Sequence, residues 1–136
     1  MIIRNLFKAL ITTALLLAVS GCGSANSNTN GTLTLTVTPA ANNGFVGVKS
    51  IASVVPVMVG ADISFTAKMS GYDPSAGSIR TTETHDAIKA TDKAGNAEWT
   101  ANFTNPTFGT TLEVTAIISG LSKTVQVAIP AYVVTP

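Results

Sequence analysis

The chain from residue 32 onward is expected to be an all-β sandwich of about seven strands, and three observations lead there. Apolar side chains recur with a period of two. Turn-forming clusters interrupt those runs at intervals of roughly 8–12 residues. Beyond the first 21 residues, no window carries the 3.6-residue spacing of an amphipathic helix.

The first element is not part of the sandwich. Arg4 and Lys8 are the only charges before residue 49, and they precede an apolar run of 11 residues at 9–19. A bilayer-spanning helix needs about 20 apolar residues, so this run is too short to span and has the length of an export signal's core. It ends in Val19-Ser20-Gly21-Cys22. That stretch resembles the lipobox of bacterial lipoproteins: an aliphatic residue, two small ones, then cysteine. The resemblance implies cleavage between Gly21 and Cys22, with residues 1–21 as a removed leader, and lipid attachment at Cys22. Small residues let the backbone enter a narrow protease cleft, and the thiol must be free to take a diacylglyceryl group. Cys22 is the single cysteine of 136 residues, so no internal disulfide competes for it. One acyl chain alone binds membranes marginally, but bacterial lipoproteins carry two or three. The first expected partner is therefore membrane lipid, through acylated Cys22. Gly23 follows the cysteine. In a diderm envelope an Asp there often signals inner-membrane retention, so the resemblance favours the outer membrane.

Residues 22–31 form the next element, the lipidated cysteine and a linker. Residues 23–31 hold no charge and no large apolar side chain, so they cannot bury enough surface to offset their ordering entropy. A flexible stretch of 9 residues spans about 15–18 Å on average and roughly 30 Å at full extension. A domain on such a tether stays close to the membrane.

Residues 32–136 are one domain in length. Setting aside Arg4 and Lys8, six of the eight basic residues remain against seven acidic ones, a net charge of −1. No basic stripe exists to attract phosphate, and nucleic acid is not an expected partner. Within the domain Leu33, Leu35 and Val37 alternate with threonines until Pro39, where the run is expected to stop. Ile63, Phe65, Ala67 and Met69 form a second alternating run. Ala97, Trp99, Ala101 and Phe103 form a third, Leu112, Val114 and Ala116 a fourth, and Val125, Val127 and Ile129 a fifth. Turn signals lie at 41–44, 59–60, 70–77, 92–96, 105–109 and 119–120. Residues 46–59 are valine-rich but alternate poorly, and read either as a continuation of the first strand or as a second one. Residues 78–90 have only Ile79 and Ile88 as large apolar side chains, which suggests an edge strand or an irregular crossover.

The segment Thr91-Asp92-Lys93-Ala94-Gly95-Asn96-Ala97, followed by Gly109-Thr110-Thr111-Leu112-Glu113-Val114-Thr115-Ala116, resembles the bacterial Ig-like repeats of invasin- and intimin-type proteins. Those repeats carry a Thr-Asp-x-x-Gly-x-Ala turn and a later Gly-x-x-x-x-Val-Thr-Ala strand. The resemblance covers about 40 residues and implies an immunoglobulin-like sandwich. Unlike antibody-type domains, this one has no cysteine pair to pin its sheets, and Leu112 and Val114 stand where a tyrosine is usual.

Chemistry-bearing residues are few. His85, beside Glu83 and Asp86, is the sole histidine. Metal sites need three or four convergent ligands, and no serine sits in a nucleophile elbow, so an exposed loop or edge histidine is expected. Asp92 and Asn96 flank Gly95 as a turn rather than a calcium loop; Asp62, Asp73 and Asp92 would be the residues to test for calcium. Trp99 falls in the inward phase of its strand. Tyr72 and Phe108, both in turn-rich stretches, are the candidates for surface contact. No catalytic group, metal or cofactor is expected. The sequence points to an anchored, non-enzymatic structural or protein-interaction module, with another envelope or surface protein as its partner. The alternative is an adhesin-like module binding carbohydrate or a surface.

Overall fold

A computed structural model describes residues 31–42 and 44–133. Seven antiparallel strands follow in chain order: β1 (Thr32–Asn42), β2 (Phe45–Val55), β3 (Asp62–Asp73), β4 (Ser78–Ala90), β5 (Asn96–Thr104), β6 (Thr110–Ile118) and β7 (Leu121–Ile129). They form two sheets, β1-β2-β5 and β4-β3-β6-β7. The sheets face one another as an immunoglobulin-like β-sandwich, with β4 paired to β3 rather than joined to the sheet of β1, β2 and β5.

The core is built from the inward phase of every alternating run. Leu33 and Leu35, Val46 and Val48, Ile63 through Met69, Ala97 through Phe103 and Leu112 through Ile118 supply its buried side chains. Trp99 is among them, its ring centroid 5.7 Å from that of Phe65 across the sandwich. Aromatic pairs at that separation and tilt gain attraction beyond their buried area. Threonines 34, 36 and 38 of β1 alternate outward with the buried leucines, although Val37 is only half-buried.

The structure resolves the ambiguous stretches. Residues 46–55 belong to a separate strand, β2, which pairs with both β1 and β5 and is the centre of its sheet. Its alternation is obscured because Ser50 points into the core while Ile51 faces outward. Residues 78–90 are the edge strand β4. Two expected boundaries need correction. Pro39 does not stop β1, which continues paired with β2 to Asn42; β1 is an edge strand, where a residue lacking N–H can sit with that side unpaired. The turn expected at 70–77 is shorter, because β3 runs to Asp73 and pairs with β4 up to Ser78. A register shift after Met69 accommodates the extra length.

Connections collect at two opposite ends. One holds Gly31, the β2–β3 loop, the β4–β5 loop and the β6–β7 turn, where Ser119 and Gly120 both have positive φ (46° and 79°), as a two-residue hairpin requires. The other holds the β1–β2, β3–β4 and β5–β6 connections and the segment after β7. Strands of 9–13 residues set these ends about 30 Å apart.

Candidate functional site

An open depression of about 760 Å³ lies on the outward face of the four-stranded sheet. Its floor comes from β3, β6 and β7, where Lys68, Glu113 and Gln126 stand in one cross-strand row. The Gln126 amide donates to Glu113 Oε2 at 2.7 Å. Tyr72 and Ile79, directly paired between β3 and β4, form its far wall and are 57% and 76% exposed. An aromatic face beside amide, carboxylate and ammonium groups can stack on a flat ligand and hydrogen-bond its rim.

Gly71 sets the shape of that corner. A Cβ there would lie 2.5 Å from the Gly109 carbonyl oxygen and 3.2 Å from the Phe108 ring. The β5–β6 loop therefore closes directly onto the β3 backbone. Tyr72 and Phe108 are brought to the same corner, but in different roles. Tyr72 faces solvent, whereas Phe108 is half-buried over Gly71 and does not line the depression. Below Tyr72, Asp73 organises the β3–β4 turn: its carboxylate accepts from the Ser75 hydroxyl at 2.6 Å, the Ser75 N–H at 2.9 Å and Arg80 at 3.3 Å. The Ser75 hydroxyl, more than any other group, holds the Asp73 carboxyl below its ordinary pKa.

His85 sits on the edge strand, as expected, but on its inward phase. Its ring meets Phe103 edge-on at 4.7 Å, and Nε2 lies 2.6 Å from Glu83 Oε1. Asp86 is on the opposite face of the strand, bonded to the Thr66 hydroxyl at 2.7 Å. This group of three is therefore split by the pleat. The three candidate calcium carboxylates do not converge either: Asp62 begins β3 and Asp73 ends it. Asp92 Oδ1 accepts the N–H groups of Ala94 and Asn96 at 2.8 and 2.9 Å, as a turn-capping residue does. Among the described residues no three His, Cys, Asp or Glu side chains cluster as metal ligands. Val19, Ser20, Gly21 and Cys22 lie outside the described residues, as do the leader and the linker up to residue 30.

Sequence reasoning missed Thr91. It is buried at the β4–β5 corner, where its hydroxyl accepts the Ala61 N–H at 2.9 Å and donates to the Met58 carbonyl. The Thr-Asp pair of the turn motif was the signal that marked it.

No protein-family model matches the chain, and no curated protein matches it. Among solved structures, it is similar to a β-glucosidase from Listeria innocua in complex with gluconolactone, with a TM-score of 0.45 and 11% identity. The likeness covers 77% of this chain and 17% of that one, so this protein spans less than a fifth of its length.

Proposed function

We propose that this chain is an envelope lipoprotein whose sandwich serves as a non-enzymatic structural or protein-interaction module. The observation that carries the reading is Val19-Ser20-Gly21-Cys22 after a basic start and a short apolar run, with one domain beginning ten residues after Cys22. The near-neutral charge of the domain supports a partner other than nucleic acid. On this reading the protein is anchored in the cell envelope through acylated Cys22, in the outer membrane where there is one. It is an Ig-like domain of the invasin and intimin type, and its partner is another envelope or surface protein that meets its edges or far-end loops. The test is crosslinking in native membranes with wild type and Cys22→Ala side by side. A defined partner set captured only by wild type supports an anchored subunit. Turnover of ester, glycan or peptide substrates by the pure protein overturns the non-enzymatic reading.

The depression walled by Tyr72 favours a second reading, an adhesin-like module that stacks a sugar ring on Tyr72. Glycan-array binding that disappears in Tyr72→Ala is the result it requires, and an empty array removes it.

A further inference from the structure

The end of the sandwich where Gly31 enters carries the most concentrated exposed aliphatic surface among the described residues. The β2–β3 connection reads Val55-Pro56-Val57-Met58-Val59, with Val55, Val57 and Val59 each more than half exposed and Met58 at 37%. Close by on the outward sheet face, Ile88 and Ile117 flank Ser64 and are also exposed. Isolated exposed aliphatics are ordinary, but a contiguous patch at one tip marks a contact surface.

The C-terminal half of the loop is tied to the β4–β5 corner by hydrogen bonds. Thr91 engages the Met58 carbonyl and the Ala61 N–H through its hydroxyl, while its own backbone bonds Ala61 and Gly60 at 2.9 Å each. Gly95 presses against it from the other side: a Cβ there would meet the Val54 carbonyl at 2.9 Å and Val57 at 3.4 Å, and its φ of +79° suits glycine. The Met58 carbonyl, the Gly60 N–H and both backbone groups of Ala61 are thus satisfied within the protein. At a headgroup boundary, where water persists, the remaining backbone groups stay hydrated while the apolar side chains are buried. Lys89, Lys93 and Lys123 lie around this end with Asp62 and Asp92. Three ammonium groups against two carboxylates leave a slightly cationic rim suited to anionic headgroups.

Position supplies the occupant. Gly31 lies against this same loop, its Cβ site 3.3 Å from the Val55 carbonyl and 3.9 Å from Pro56. The nine residues from 23 to 31 reach roughly 30 Å at most, so a lipid on Cys22 keeps this end of the sandwich near the bilayer. We propose that the Val55–Val59 loop is a second membrane contact, seated at the headgroup boundary of the bilayer that holds Cys22 and orienting the Tyr72 end outward. This rests on the lipoprotein reading.

The test uses the full chain, purified from bacterial membranes and reconstituted into vesicles of phosphatidylethanolamine and phosphatidylglycerol. Val59→Cys and, at the far-end turn, Ala76→Cys each carry a nitrobenzoxadiazole label. Acylation consumes the Cys22 thiol, so an acylated chain takes one label and an unacylated chain takes two. Expected are one label per chain, blue-shifted emission at position 59, and reduction by external dithionite several-fold slower there than at position 76. One label with equal reduction at both positions overturns the membrane contact and leaves the anchor standing. Two labels per chain overturn the anchor and the contact with it. Shielding of position 59 to the same degree in unlipidated Cys22→Ala protein in buffer means that a second copy covers the loop, and the proposal fails.

Discussion

Glu83 Oε2 accepts the backbone N–H of Thr104 at 2.9 Å, so a side chain on the edge strand of one sheet caps the end of the edge strand of the other. The same carboxylate holds His85 through Oε1, which in turn sets the ring against Phe103. One rim of the sandwich is thus closed by polar contacts where β4 overhangs β5, beyond the hydrophobic core.

Glu83→Ala leaves the Thr104 N–H without its acceptor and frees His85 from its partner. A lost bond of this kind costs about 1–3 kcal/mol where the site is shielded from water, and Glu83 is only partly shielded, so about 1 kcal/mol is expected. Chemical denaturation reads the loss, and faster amide exchange at Thr104 localises it. Unchanged exchange at Thr104 would remove the rim contact from the account.

Ser50→Ala is expected to stabilise the protein. Ser50 is fully buried in the centre of β2, paired with Trp99, and its hydroxyl has no hydrogen-bond partner. Removing a buried, unpaired hydroxyl recovers about 1 kcal/mol, and in a domain of this size that raises Tm by about 4–8 °C. A thermal melt that falls instead would mean that the hydroxyl is satisfied.

Gly71→Ala forces a methyl group to within 2.5 Å of the Gly109 carbonyl oxygen. Backbone opposes backbone there, so the β5–β6 loop must move and carry Phe108 with it. Overpacking of this kind costs about 1–3 kcal/mol. Denaturation measures the cost, and an altered Phe108 ring environment by NMR shows where the chain yields. Loss of stability with unperturbed Phe108 signals would contradict the close approach of the loop.

Acid is expected to weaken the β3–β4 turn. The Asp73 carboxyl is held below its ordinary value of 3.8 by the Ser75 hydroxyl first, then by backbone N–H groups and Arg80. A group whose folded pKa lies below its unfolded one favours the folded state above about pH 4, and that contribution fades as pH falls through the folded value. NMR titration of the Asp73 carboxyl carbon gives its midpoint directly. Asp73→Asn should flatten this part of the acid limb, and an identical limb in the variant would assign it to other groups.

The legible part of the fold was the set of runs that alternate cleanly. Ile63 to Met69, Ala97 to Phe103 and Leu112 to Ala116 all turn their apolar residues inward, as their spacing implies. Two strands were harder to read, each for an identifiable reason. In β2, Ser50 occupies a core position opposite the bulky Trp99 while Ile51 packs outside, so polarity and direction are inverted. In β4 the inward phase carries Glu83, His85 and Ala87 while Ile88 faces solvent, because the strand lies on the rim and its inner face meets the edge of β5. For the candidate site, the exposure of Tyr72 was legible, but its place was not: it was expected in a loop and stands in β3, paired with Ile79. That Phe108 would instead be half-buried over Gly71 depended on a loop from a distant part of the chain.

The sequence by itself determined five of the seven strands and which face of each is buried, because alternation is a local property of the pleated backbone. The lipobox reading at Cys22 is likewise local, carried by four adjacent residues. Only the tertiary structure decided that β4 joins β3 instead of the opposite sheet, that Glu83 reaches Thr104, and that Gly31 enters beside Val55 and Pro56. A period of two says that a strand has an inner face but carries no information about its neighbour. That choice is made by how the two inner faces interlock and by which loops the pairing brings together.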